Sequence, residues 1–176
     1  MEQGLLHLYW GDGKGKTTAA MGLALRALGH GRRVVILQFL KDGSSGEIEM
    51  LRRCGAAVYA CPNAKFTWLM TDAERAEARR TNTRTLQTIL QGSFDLLVLD
   101  EPVTGLDPAA ADDLYRTLRY LNRTEGMAVV MVTHDIRSAL RDAAAILHAG
   151  RDQWFLGTPR EYLASPYGKR FGGDLS

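Results

Sequence analysis

Nine consecutive residues, from Trp10 to Thr18 (WGDGKGKTT), constrain the fold more than any other stretch of the chain. They follow an apolar run, Leu5 to Tyr9, that predicts a buried strand, and they open a segment rich in Ala, Leu and Met, Ala19 to Leu28, that predicts a helix. A strand, a glycine loop ending in Gly-Lys-Thr and a helix form the arrangement that binds a nucleoside triphosphate. Glycines let backbone N–H groups turn towards phosphate oxygens, and the positive end of the helix faces the same anion. The stretch therefore predicts a triphosphate site.

Two side chains of this loop suit such a ligand. Lys16 supplies a mobile positive charge, and the hydroxyl of Thr17 is placed to ligate Mg²⁺. The strict pattern requires glycine five residues before Gly15, where this chain has Trp10. The alternative is a surface turn rich in Gly and Lys, but the flanking strand and helix favour the phosphate loop. We expect ATP to be bound by Gly11, Asp12, Gly13, Lys14, Gly15, Lys16, Thr17 and Thr18.

A second apolar strand ends in two carboxylates. Phe94 to Asp100 (FDLLVLD) is followed directly by Glu101. Ligands of open α/β sheets sit at the carboxyl ends of the strands, so these acids are expected to meet the Mg²⁺ there. We therefore expect Thr17, Asp100 and Glu101 to be the metal ligands.

The remaining pattern alternates strands with helices. Strands are predicted at 33–39, 56–61, 127–133, 144–148 and 153–156. Helices are predicted at 47–53, from the segment 71–74 to about residue 91, at 108–124, at 135–143 and, as the last, at 159–164. Thr71 to Glu74 reads as a capping box at the start of the longest helix. The order predicts an α/β fold, a P-loop NTPase-like three-layer sandwich with a mostly parallel central sheet, formed by residues 1–176 as a single nucleotide-binding domain.

Composition excludes several classes of function. A net charge of +2, without a basic block interleaved with aromatic residues, gives no sign of nucleic-acid binding. No apolar run approaches the ~20 residues of a membrane span, and the first residues do not resemble a signal peptide, so we expect a cytoplasmic protein. Cys54 and Cys61 read as two reduced thiols rather than a zinc site. His7, His30 and His148 read as isolated and receive no chemical role.

Residues 4–101 resemble the P-loop ATP:corrinoid adenosyltransferases, which make adenosylcobalamin. The matching segments are 11–20 (GDGKGKTTAA), 22–27 (GLALRA), 29–31 (GHG), 35–41 (VILQFLK), 66–68 (FTW) and the acidic strand. The resemblance implies ATP and Mg²⁺, a reduced Co(I) corrinoid as the second substrate, a flavin-type reductase as a partner and a homodimer. It makes Lys16 and Glu101 candidate catalytic residues, with Lys14 assisting at the triphosphate. Phe66 and Trp68 would contact the corrin, although two aromatics at this spacing are also common in ordinary packing.

From Leu96 onwards the chain resembles a different family, the ATPase subunits of ABC transporters. The segments that carry this resemblance are 99–102 (LDEP), 105–108 (GLDP), 132–135 (VTHD) and the tail segments 155–159 (FLGTP) and 162–166 (YLASP). It implies that Glu101 is a general base and that His134 senses the γ-phosphate. Asp107 would then make a subunit contact, or simply cap the helix at Pro108, which is the reading that its position favours.

The two resemblances meet at the strand Leu97 to Glu101, so the sequence reads as a hybrid of 1–101 and 102–176. The ABC signature of Ser-Gly-Gly-Gln type is expected shortly before this strand, yet residues 81–93 contain no Ser-Gly-Gly. The adenosyltransferase family normally has Thr-Gly-Arg where this chain has Val132, Thr133 and His134. We therefore expect a corrinoid adenosyltransferase, with two alternatives: an ATPase subunit of a metal importer, and a nucleotide-binding hybrid without turnover.

Overall fold

A seven-stranded sheet forms the centre of the protein. The computed structural model describes residues 3–39, 41, 43–60, 71–103, 106, 108–134 and 136–172. The strands are β1 (Leu6–Trp10), β2 (Val34–Gln38), β3 (Ala57–Ala60), β4 (Leu96–Asp100), β5 (Ala128–Val132), β6 (Ala145–Ala149) and β7 (Trp154–Gly157). Their order across the sheet is β3-β2-β4-β5-β1-β6-β7. The pairs from β3 to β6 are parallel and β7 runs antiparallel to β6, which confirms the predicted mostly parallel sheet.

Helices cover both faces of this sheet. They are α1 (Lys16–Gly29), α2 (Gly46–Arg53), α3 (Asp72–Gln91), α4 (Pro108–Arg123), α5 (Ile136–Leu140), α6 (Pro159–Ala164) and α7 (Pro166–Gly172). One apolar cluster joins α1 and α2 to the sheet, and a second joins α3, α4, α5 and α6 to it. Residues of β2, β4 and β5 are buried on both faces, as their continuous apolar runs predict. These layers confirm the predicted three-layer α/β architecture.

Two predicted helices differ from the observed ones near the C-terminal end. The helix expected over 135–143 is α5, which ends at Leu140. It is shorter because the carboxylate of Asp142, 6% exposed, turns towards α4 and accepts hydrogen bonds from Arg119 at 2.9 Å and Arg123 at 3.0 Å. The prediction that 159–164 is the last helix is also wrong, since α7 follows after one extended residue, Ser165.

Local capping explains where α3 and α6 begin. Thr71 accepts a hydrogen bond from the backbone N–H of Glu74 while the Glu74 carboxylate accepts one from the backbone of Thr71, which confirms the predicted capping box. Thr158 and Glu161 repeat this arrangement at α6. Within the described residues, no helix is long and apolar enough to cross a membrane.

Candidate nucleotide-binding site

The glycine loop leaves β1 immediately after a buried tryptophan. Trp10 is 7% exposed, and its ring packs edge-on against His148 at 4.7 Å and against Tyr162 at 5.7 Å between ring centroids. The backbone turn begins one residue later, at Gly11, with φ of 115°. A Cβ at Gly11 would collide with the carbonyl oxygen of Ala149 on β6. The departure from the strict glycine pattern therefore has a physical reason: Trp10 belongs to the core, and Gly11 makes the close turn.

The loop is held against β6 and then enters α1. The backbone N–H of Gly13 donates to the carbonyl of Ala149 at 2.8 Å. Gly15, with φ of 100°, precedes the first residue of α1, and its carbonyl accepts the N–H of Ala19 at 2.8 Å. The indole of Trp154, 57% exposed, lies beside this end of the loop, since a Cβ at Gly15 would be 3.4 Å from its Cη2. The positive end of α1 thus faces the concave side of a fixed loop.

The ammonium group of Lys16 lies within the loop. Lys16 is 9% exposed, and its Nζ donates to the carbonyls of Gly11 at 2.7 Å and Gly13 at 2.9 Å. An ammonium has three donors, so two fix its position and one is left for an anion. This geometry suits a phosphate oxygen entering the loop.

The next residue, Thr17, faces the carboxyl end of β4. Its hydroxyl donates to Oδ1 of Asp100 at 3.1 Å. The other oxygen, Oδ2, accepts from Nζ of Lys41 at 2.7 Å and from Nε2 of Gln38 at 3.3 Å. The Asp100 side chain is 1% exposed, whereas that of Lys41 is 44% exposed. A buried carboxylate is therefore balanced by a cation at the rim of the site.

These groups have the chemistry of a magnesium site. Mg²⁺ prefers hard oxygen ligands and keeps several of its waters. Thr17 and Asp100 supply oxygens that are already adjacent, and Oε1 of Gln38 is a buried acceptor with no hydrogen-bond partner in the described part of the chain. An orphaned acceptor at this place suits a water of the metal's outer shell. The residues present therefore fit the ion.

Glu101 occupies an unusual backbone conformation at the same edge of the sheet. Its φ is 57°, in the left-handed region that costs a non-glycine residue about 1–3 kcal/mol. The backbone N–H donates to the carbonyl of Val132 at 2.9 Å, which holds the turn in place. Oε1 of Glu101 lies 3.1 Å from Nε2 of His134, whose side chain is 67% exposed. The structure thus brings together the two residues that the ABC resemblance singled out.

The remaining predicted site residues are either exposed to solvent or lie outside the described residues. Asp12, Lys14 and Thr18 are exposed at the loop, and the carboxylate of Asp12 lies 3.4 Å from Nε of Arg151. Phe66 and Trp68, the predicted corrin contacts, lie outside the described residues, as do Cys61 and Asp107. Cys54 is an exposed free thiol.

Sequence reasoning missed three residues around this site. Lys41 stood inside the matched segment 35–41 without a role, and Gln38 is the last residue of β2. The interpretation of His148 as isolated is wrong: it is 8% exposed, contacts Trp10 and lies 3.2 Å from the hydroxyl of Tyr162 through Nδ1. Burial lowers the pKa of His148 and raises that of Tyr162. No short-range pattern marks a histidine that becomes buried only when β6 pairs with β1.

Sheet order and loop together define a fold class, that of the P-loop NTPases. The solved structure of cbiO1 from Clostridium perfringens, described as part of the ABC transporter complex cbiONQ, superposes with a TM-score of 0.60 at 16% identity, over 97% of this chain and 84% of that one. At this identity the likeness shows the fold alone.

The family follows from the sequence comparisons. The profile of the family described as "ATP:corrinoid adenosyltransferase BtuR/CobO/CobP" matches residues 2–151. The corrinoid adenosyltransferase of Pseudomonas aeruginosa is 35% identical over 136 residues, which cover 75% of this chain and 66% of that protein. The chain belongs to the ATP:corrinoid adenosyltransferase family, whose members use ATP and a corrinoid.

The second resemblance is also found. The zinc import ATP-binding protein ZnuC of Chromohalobacter salexigens is 37% identical over 90 residues, 51% of this chain and 38% of that protein. Relatives of both kinds therefore match one chain, as its two sets of motifs indicate.

Proposed function

We propose that this protein transfers the 5′-deoxyadenosyl group of ATP to the Co(I) atom of a reduced corrinoid and releases triphosphate, in the synthesis or salvage of adenosylcobalamin. The observation that carries the proposal is the family match over residues 2–151, which includes the loop that holds Lys16 and the contact between Thr17 and Asp100. The P. aeruginosa relative carries the same activity in its name.

The reaction asks the protein for charge and position rather than for a nucleophilic side chain. The electron pair of Co(I) forms the cobalt–carbon bond at C5′, the C5′–oxygen bond breaks, and its electrons leave on the triphosphate. Groups that stabilise negative charge on the leaving triphosphate lower the barrier, as does a fixed geometry of attack. Lys16 donates its remaining N–H to a phosphate, and Lys14 adds a second positive charge at the loop.

Magnesium supplies further neutralisation of the triphosphate when bound, and Thr17, Asp100 and Glu101 are the residues that would hold it. Phe66 and Trp68 would contact the corrin, as the family resemblance implies. A flavin-type reductase supplies the reduced cobalt, and we propose a homodimer working in the cytoplasm. We also propose one nucleotide-binding domain, whose portions 1–101 and 102–176 join directly after β4.

An anaerobic assay tests this function directly. ATP, Mg²⁺ and chemically reduced cob(I)alamin should yield a light-sensitive cobalt–carbon product and one equivalent of triphosphate. Lys16→Met should lower the rate about 100-fold or more, since one donor to a developing anion contributes roughly that factor. Lys169→Met, which removes the same charge from an exposed position of α7, is the matched control and should retain the wild-type rate. Failure of the wild type to form product at saturating ATP would refute the proposal.

A second candidate function rests on the contact between Glu101 and His134. In this candidate function Glu101 would be the base and His134 the γ-phosphate sensor of an ATPase; their 3.1 Å contact and the likeness to an import ATP-binding protein support it. The products separate the two functions, because hydrolysis releases ADP and phosphate whereas transfer releases triphosphate. Phosphate release that Glu101→Gln abolishes would favour the ATPase. A thermal shift with ATP, without either product, would indicate a nucleotide-binding protein without turnover.

A further inference from the structure

Lys41 lies at the place where a triphosphate and its metal ion would bind. Its ammonium is 2.7 Å from Oδ2 of Asp100 and 3.4 Å from the hydroxyl of Thr17. It therefore contacts two of the three side chains that would hold a magnesium ion, Thr17 and Asp100. An ammonium and a divalent cation that bind the same carboxylate and hydroxyl compete with each other, because like charges this close repel strongly where water is scarce.

The carboxylate itself is nearly inaccessible to water. Asp100 is 1% exposed in its side chain, and its oxygens accept from Thr17, Gln38 and Lys41. A carboxylate this buried requires a positive partner, and Lys41 supplies one. The chain consequently satisfies Asp100 from within, and an incoming metal must compete with a bond that already exists.

Lys41 can move away from Asp100 when a metal ion displaces it. With 44% of its side chain exposed, it reaches Asp100 from the rim, in the polar segment between β2 and α2. The side-chain amide of Gln38 contacts Asp100 through Nε2. The other atom of this amide, Oε1, is an acceptor without a partner among the described residues. A flexible four-carbon stem lets the ammonium turn from the carboxylate to an anion held in the loop.

We propose that Lys41 is an exchange residue: it neutralises Asp100 until magnesium arrives with the triphosphate, and then transfers its charge to the phosphates. Free metal is held weakly because it must displace the ammonium without compensation. The metal–triphosphate complex is held tightly because the displaced ammonium finds a new anionic partner. This inference rests on the nucleotide site proposed above, but its test does not require adenosyl transfer.

Binding of Mn²⁺, a spectroscopic substitute for Mg²⁺, tests the proposal without nucleotide. The fraction of free Mn²⁺ is measured by electron paramagnetic resonance in titrations of wild type, Lys41→Gln, Lys41→Arg and the charge-matched control Lys169→Met. Lys41→Gln should bind Mn²⁺ about 10-fold or more tightly than wild type, because a charged hydrogen bond of this kind corresponds to roughly that factor. Lys41→Arg keeps the charge and should stay as weak as wild type, and Lys169→Met should be unchanged.

The same titrations with the non-hydrolysable analogue AMPPNP complete the test. The analogue should strengthen Mn²⁺ binding in wild type by a larger factor than in Lys41→Gln, because only the wild type has an ammonium to transfer. Equal or weaker Mn²⁺ affinity in folded Lys41→Gln, judged by circular dichroism, would overturn the proposal, as would an equal gain from the analogue in both proteins. If the exchange is observed while wild type forms no adenosyl product, the inference stands and the proposed function fails.

Discussion

Replacing Gly11 with alanine tests whether close contact with β6 sets the shape of the phosphate loop. An L-residue at φ of 115° costs about 1–3 kcal/mol. The new methyl group would also collide with the backbone carbonyl of Ala149, which cannot rotate away as a side chain does. Relieving that collision separates the loop from β6 and breaks the 2.8 Å bond from the N–H of Gly13, about 1 kcal/mol more. The free energy of unfolding should therefore fall by about 2–4 kcal/mol.

The matched control lies further along the chain, within α1. Gly22 has ordinary helical φ and open space where the methyl group of an alanine would lie, so Gly22→Ala should raise the free energy of unfolding by about 0.5–1 kcal/mol. Urea denaturation measures both values, and isothermal titration calorimetry with ATP measures binding. Gly11→Ala should weaken ATP binding at least 10-fold, because the loop must move. A variant within about 0.5 kcal/mol of wild type that binds ATP normally would refute the reasoning.

Three further predictions concern other parts of the described structure. Asp142→Asn should lower the free energy of unfolding, measured in urea, by about 1–3 kcal/mol, because the buried carboxylate accepts hydrogen bonds from two arginines. The control Asp113→Asn changes a side chain that is 71% exposed and should alter the free energy of unfolding by less than about 0.5 kcal/mol. Equal effects of the two substitutions would contradict this prediction. Burial lowers the pKa of His148, so the unfolded chain binds more protons and the melting temperature should fall as pH falls below about 6.5. His148→Phe should flatten that dependence, and an unchanged slope would count against it. Trp154 lies beside Gly15, so ATP should change tryptophan fluorescence in wild type but much less in Trp154→Phe, with calorimetry confirming that the variant still binds; a signal that persists would place its source elsewhere.

The elements were predictable because their signals are local. Apolar runs such as the one ending at Asp100 identify a doubly buried strand without any knowledge of its neighbours. The Thr71 capping box and the loop before α1 are likewise short patterns with their own chemistry. Sheet order is a different matter, because which strands lie side by side depends on packing over the whole chain.

The contacts that complete the candidate site depend on that order. Lys41 meets Asp100 across 59 residues of sequence, only because β2 lies beside β4. His148 reaches the ring of Trp10 only because β6 pairs with β1. Trp10 itself looked like a defect in a glycine pattern and is instead a core residue. Long-range pairing of this kind leaves no periodic trace in the sequence.

The position of β1 in the sheet bears on how the two resemblances came to share a chain. In the described sheet, β1 takes its backbone partners from β5 and β6, both of which come later in the sequence than Asp100. In a fragment that ends at Asp100, β1 would lack both of these backbone partners, one along each of its edges. The loop therefore depends on the C-terminal portion of the chain. Any replacement of that portion must supply two strands that pair in register with β1, or the sheet and the nucleotide binding proposed for the loop are lost.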